Sequence, residues 1–232
     1  MRGAGRRCGT AERYSPAGRR AGEPWSDGPV VPEQVWYAAY GSNTDPTRLG
    51  HYLAGGTPEG ASLGTPGARD ATPPRASRAV DLPGSVFFAG ESPTWGGGVA
   101  FYDVHGAGTS VGRAWLLSAE QFSDVAVQEM HRPPGEDLDL ETLLREGTHA
   151  YGPGHYETLH VVSVLDGLPV LTFTAPPDSP VGRALNPPSA AYLRVMGGGL
   201  LETVGDAGAV ADYLLARPGI GGWERDDVLA LL

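Results

Sequence analysis

The sequence predicts an α+β fold. Candidate strands crowd the middle of the chain, helical patterns take over towards its end, and the regular strand–helix alternation of a doubly wound sheet is missing. At 232 residues with 41% hydrophobic content, the chain is long enough for one domain with a real core. Gly 35 and Pro 21 fit a fold rich in tight turns. Residues 1–32, with Arg2, Arg6, Arg7, Arg13, Arg19 and Arg20 among glycine and alanine, read as a disordered tail. Residues 33–232 read as a single domain.

The elements follow in order. Val35-Trp36-Tyr37-Ala38-Ala39-Tyr40 is an apolar, aromatic run that reads as a buried strand. It stops on Gly41-Ser42-Asn43, and Asp45 before Pro46 supplies the cap and first position of a helix reaching Leu53. A strand that ends in a tight turn of small residues at a helix start leaves backbone N–H groups pointing outward, which suits an anion or a carbonyl oxygen. Residues 55–77 read as a long surface loop and a candidate lid. Strands are expected at 85–89, 98–104 and 110–117. Ser118 with Gln121 has capping-box spacing, and Phe122, Val125 and Met130 give that helix a buried face. It carries Gln128-Glu129 near its end and stops before Pro133-Pro134.

Leu138, Leu140, Leu143 and Leu144 predict a short surface helix in an acidic segment. His155 to Leu165 and Leu168 to Phe173 flank Asp166-Gly167, the clearest hairpin signal in the chain. Pro176, Pro177 and Pro180 break it again. Ser189 opens a helix holding Tyr192, Leu193 and Met196, with an interruption expected at Gly197-Gly198-Gly199. Helical stretches from Ala207 to Arg217 and from Glu224 to Leu231 finish the chain.

Charge and composition narrow the function. All 17 basic residues are arginine, and the net charge is −10, which argues against nucleic acid or an anionic membrane as partner. No apolar run reaches the roughly 18 residues of a membrane span. No apolar leader is visible either, so a cytoplasmic location is expected. Cys8 is the single cysteine, too few for a disulfide within the chain or a cysteine-rich metal site. Histidines stand at 51, 105, 131, 149, 155 and 160 without an H-x-H or H-E-x-x-H pair, so no metal site is expected.

Four matches in order give the chain a family resemblance. They are Tyr40-Gly41-Ser42-Asn43 at the end of the first strand, Gln128-Glu129 at the end of the helix after the Gly112-Arg113-Ala114-Trp115 strand, Tyr156, and Pro188-Ser189-x-x-Tyr192. With these the chain resembles the gamma-glutamylcyclotransferase-like family over roughly residues 35–215. The resemblance implies a small mixed β-barrel flanked by helices, with a cavity at one end. It implies a cofactor-free lyase or acyltransferase that cyclises a small gamma-glutamyl substrate to 5-oxoproline and releases the amine. Glu129 would be the catalytic acid/base. Tyr37, Ala38, Ala39, Tyr40, Gly41, Ser42, Asn43 and Tyr192 would bind the substrate, with Tyr192 offering its hydroxyl. Two positions depart from relatives, which often carry an acid and a glycine where this chain has Ala126 and Met130.

The chemistry suits those residue types. The attacking amine and the target carbonyl share one molecule, so proximity needs no second substrate. What remains is proton transfer, which one carboxylate can perform in both directions for roughly 10²–10⁴-fold. Two alternatives stand beside this reading. Gly108-Thr109-Ser110-Val111-Gly112 fits G-x-S-x-G, making Ser110 a candidate hydrolase nucleophile, although a strand rather than a helix is expected after it. The fold could also serve as a non-catalytic binding module.

Overall fold

A computed structural model of the chain describes residues 12–13, 31–59, 61–176 and 184–232. Most of the expected tail, Cys8, Pro177 and Pro180 lie outside the described residues. Within the tail, Glu12–Arg13 (β1) pairs with the sheet.

The strands are β2 Gln34–Ala39, β3 Ala76–Pro83, β4 Ser85–Ala89, β5 Val99–Asp103, β6 Thr109–Ser118, β7 Thr148–Ala150, β8 Thr158–Leu165 and β9 Leu168–Thr174. The helices are α1 Pro46–Ala54, α2 Ala119–Glu129, α3 Leu140–Glu146, α4 Ala190–Val204, α5 Ala207–Leu215 and α6 Arg225–Leu229. The main sheet runs β1-β8-β9-β2-β6-β3, with β7 also on β8, while β4 and β5 form a separate ribbon. β2 is antiparallel to β6 (Tyr37 opposite Trp115) and parallel to β9 (Tyr37 opposite Leu171), which makes the sheet mixed. The α+β class therefore stands. Among the described residues the strand path is open and its hydrogen bonds close no barrel.

β2 is the organising strand because both of its faces are covered. Trp36, Ala38 and Tyr40 join one core with α4 and the β4–β5 ribbon. Val35, Tyr37 and Ala39 join a second core with α1 and α2. Period-two alternation sends neighbouring side chains to opposite faces, so a strand buried on both sides reads as an unbroken apolar run. That is the run seen in the sequence.

Local chemistry fixes the helix starts. The Asp45 side chain accepts from Arg48 N at 2.8 Å, with Pro46 at the first helical position. Ser118 and Gln121 cap α2 reciprocally, and Asp166 and Gly167 take the positive φ values of 52° and 77° that a two-residue hairpin turn requires.

Four expectations need correction. β3 was not among the named strands: only Val80 and Leu82 are buried, while Ser77, Arg78, Ala79 and Asp81 are exposed, as on an edge strand. β8 begins at Thr158, three residues late, because Tyr156 stands at φ 56° and breaks the extended run. α4 continues through Gly197-Gly198-Gly199 to Val204. Its glycines permit close packing: a Cβ on Gly199 would lie 2.3 Å from Asp45 N and from Thr44 C. Finally, the 55–77 loop is tied down on α2. Arg69 N and Nε reach the fully buried Asp124 at 2.8 and 3.0 Å, Gly67 N donates to Gln128 Oε1 at 3.2 Å, and Gln121 Nε2 to Thr72 O at 2.8 Å.

Candidate active site

A cavity opens where β2 ends and the chain turns into α1. The turn is a single 3-10 turn, Ser42–Thr44, with Thr44 N donating to Gly41 O and Asp45 N to Ser42 O, both at 3.1 Å. Those bonds leave the amides of Ser42 and Asn43 outside the turn's own pattern. Thr44 Oγ1 donates to Gly41 O at 2.8 Å and reaches Met196 O on α4 at 3.2 Å. Trp115 Nε1 on β6 holds Asn43 O at 2.9 Å. The turn is thus gripped from α4 and from the sheet.

Glu129, the last residue of α2, meets this turn across the cavity. Asn43 Nδ2 donates to Glu129 Oε1 at 2.8 Å and lies 3.0 Å from the Tyr37 hydroxyl. Tyr37, Tyr40, Tyr52, Tyr156 and Tyr192 line the same cavity. Burial first of all pushes each of these phenols above its ordinary pKa, and the neighbouring Glu129 charge is a further raising cause in every case. All five therefore remain neutral hydroxyls at ordinary pH, able to donate as well as accept.

Tyr192 is placed by the cap of its helix, where Ser189 Oγ accepts from Tyr192 N at 3.2 Å. Its hydroxyl accepts from Ala100 N at 3.0 Å, which leaves its proton free to donate. Gly41 is required beneath it, since a Cβ there would lie 2.8 Å from that hydroxyl. Tyr156 OH donates to Ala100 O at 3.0 Å, so Ala100 is held at both backbone groups.

The expected site residues divide cleanly. Tyr37, Tyr40, Gly41, Ser42, Asn43, Glu129 and Tyr192 line the cavity. Ala38 and Ala39 do not: they are fully buried, one in each core. Ala126 and Met130, the two departures from the resembled pattern, also pack in the second core and contribute nothing to the lining. No described residue of the candidate lid at 55–77 lines the cavity; that wall is built by the 91–95 loop with His131, His155 and Tyr156. In that loop Ser92 Oγ accepts from Trp95 N at 3.0 Å, and Glu91 accepts from Gly97 N at 2.7 Å and Asn186 Nδ2 at 2.8 Å. Burial, then the neighbouring His131, lowers the pKa of His155.

Sequence reasoning missed Arg48, Tyr52 and Trp95. Arg48 Nη2 donates to Tyr52 OH at 2.7 Å, and the Arg48 guanidinium lies over the rings of Tyr52 at 4.4 Å and Trp95 at 5.7 Å. The available signal was the i, i+4 spacing of Arg48 and Tyr52 on one helix face.

Ser110 is no elbow. It sits inside β6, fully buried, with its hydroxyl donating to Gly84 O at 3.1 Å, and it is not part of the cavity. Among the described residues no group of three or more His, Cys, Asp or Glu side chains is placed to hold a metal ion, and no helix is long and apolar enough to cross a membrane.

Fold and site together define an α+β protein with the Glu129 carboxylate set among tyrosines at a strand-to-helix turn. No family model matches the chain. Histone deacetylase 5 of Arabidopsis thaliana is 28% identical over 205 residues, which is 79% of this chain and 31% of that protein; the chain spans about a third of that relative's length. Among solved structures, a gamma-glutamyl cyclotransferase aligns at 15% identity and a TM-score of 0.49, over 85% of this chain and 99% of its own. An uncharacterized protein from Homo sapiens aligns at 14% identity and a TM-score of 0.49, over 86% and 99%.

Proposed function

We propose that the cavity cyclises a gamma-glutamyl amide, a dipeptide or an amine conjugate, to 5-oxoproline with release of the amine. The observation that carries this reading is the Asn43–Glu129 hydrogen bond of 2.8 Å, which fixes the Glu129 carboxylate beside the Gly41–Asn43 turn inside a tyrosine-lined cavity. Glu129 takes a proton from the substrate α-ammonium, and the freed amine attacks the γ-carbonyl carbon of the same molecule. Negative charge that develops on the carbonyl oxygen is met by the Ser42 and Asn43 amides and by the Tyr192 hydroxyl. The attacking nitrogen, cationic once bonded, releases its second proton to solvent. The bond to the leaving nitrogen breaks as Glu129 returns the first proton to it, and the freed amine takes up a proton from solvent. One ring closes, one amide is exchanged for another, and no water is consumed.

Glu129→Gln tests the assignment. It keeps the shape and an acceptor for Asn43 Nδ2 but cannot shuttle a proton. The reading predicts a loss of 5-oxoproline formation of at least about 10²-fold with an unchanged melting temperature. Turnover retained in that variant refutes the role of Glu129.

A further inference from the structure

The cavity contains a buried cation that the proposed chemistry has not used. Arg48 is 7% exposed and lines the cavity. Nη2 is engaged by Tyr52, but Nε and Nη1 have no hydrogen-bond partner in the protein. Its neighbours in kind are different: Arg69 is paired with Asp124, Arg113 with Glu202, and Arg132 with Glu157. Burying guanidinium donors without an acceptor is strongly unfavourable, and the planar fork of arginine is suited above all to a carboxylate.

Position decides which carboxylate. Tyr52 OH accepts from Arg48 at 2.7 Å, and Glu129 lines the same cavity as both, so the cation and the carboxylate face one space. A second orphan lies in the same place: Asn43 Oδ1 is buried and accepts no hydrogen bond, although Asn43 Nδ2 holds Glu129. The free groups are therefore two donors on a cation and one acceptor beside a carboxylate. An α-amino acid head carries the complement, with its carboxylate and ammonium on adjacent positions.

We propose that Arg48 is the carboxylate-binding residue of this cavity and selects ligands with a free α-carboxylate, while Asn43 Oδ1 and Glu129 receive the α-ammonium. The inference rests on the cyclotransferase reading for the identity of the ligand's remainder. It frees the Ser42 and Asn43 amides for the γ-carbonyl oxygen and excludes substrates whose glutamyl head is amidated or esterified.

The experiment is calorimetric binding of L-5-oxoproline and its carboxamide to the full chain, its Arg48→Met variant and its Arg48→Lys variant. The wild type should prefer the carboxylate by about ten- to a hundredfold, the size of a charge-assisted hydrogen bond. Arg48→Met, which keeps the packing on Tyr52 and Trp95, should bind both equally, and Arg48→Lys should restore part of the preference. Equal binding by the wild type, a preference that survives Arg48→Met, or no binding of either compound at millimolar concentration overturns the proposal. The wild-type comparison needs no variant to fold. Turnover is measured separately. Carboxylate preference without 5-oxoproline formation keeps the Arg48 site and removes the cyclotransferase; turnover with a preference indifferent to Arg48 does the reverse.

Discussion

At the scale of single residues, the site depends on which polar atoms are spent and which are free. Tyr192 spends its lone pair on Ala100 N and keeps its proton. Tyr192→Phe should lower kcat/KM by about ten- to a hundredfold through loss of that donor, and lower stability by about 1–3 kcal/mol by orphaning a buried amide. Steady-state kinetics alongside denaturant melts measure the two effects separately; a stability loss with unchanged kinetics would leave Tyr192 a purely structural residue. Glu129, Asn43 and Tyr192 were singled out by the family resemblance, and all three line the cavity. Trp95 was not, and Arg48 left only its i, i+4 spacing from Tyr52. Their roles arise because the 91–95 loop folds back over α1, and a contact across more than forty residues of sequence leaves no periodic trace. Ala38 and Ala39 failed for the opposite reason, since alternation on a strand buried on both faces sends them into the cores.

At the scale of elements, the helix α4 and the turn it covers carry the argument. A glycine triplet in a helical pattern normally signals a break, because each glycine costs roughly 1 kcal/mol against alanine. Here the helix passes through it, and the saving in side-chain volume brings α4 onto the Thr44–Asp45 backbone. Neighbouring glycines should therefore respond in opposite directions. Gly199→Ala must push the helix off the turn and should destabilise by about 1–3 kcal/mol, with loss of ligand binding. Gly198→Ala meets nothing within 4 Å and should stabilise by about 0.5–1 kcal/mol. Equilibrium unfolding of the pair is the check, and equal effects would contradict the packing role. The loop over residues 55–77 teaches a related lesson. It lacks periodicity, yet buried Asp124 and Gln128 reach out from α2 to hold its backbone, so polar satisfaction orders it where hydrophobic pattern could not.

At the scale of the whole molecule, two cores share one strand, and the main sheet carries a titratable group inside it. His160 on β8 is 9% exposed, and burial, with His105 as the lesser cause, lowers its pKa from 6.5 to about 4. The folded state therefore binds this proton less well than the unfolded chain. Stability from this group is present above pH 6.5 and is lost as pH falls through about 4, by roughly 3 kcal/mol in all. His160→Gln should remove that component, so the stability difference between wild type and variant should shift by about that amount between pH 7 and pH 4. Urea unfolding of both proteins at the two pH values measures it, and a pH-independent difference would contradict the burial argument. The α+β class was legible from the distribution of strand and helix patterns, and the mixed sheet follows from β2 lying between β6 and β9. Barrel closure is a property of strand order and register, which the periodicity of single strands does not encode.

The central claim is that this cavity converts a gamma-glutamyl amide into 5-oxoproline through Glu129. Its most direct test is to incubate the wild-type chain with a panel of gamma-glutamyl dipeptides and gamma-glutamyl amines, with mass-spectrometric detection of 5-oxoproline. The account predicts stoichiometric release of 5-oxoproline and free amine from at least one member, absent with Glu129→Gln. A panel with no turnover above the uncatalysed background would contradict it and leave the site as a ligand-binding cavity alone.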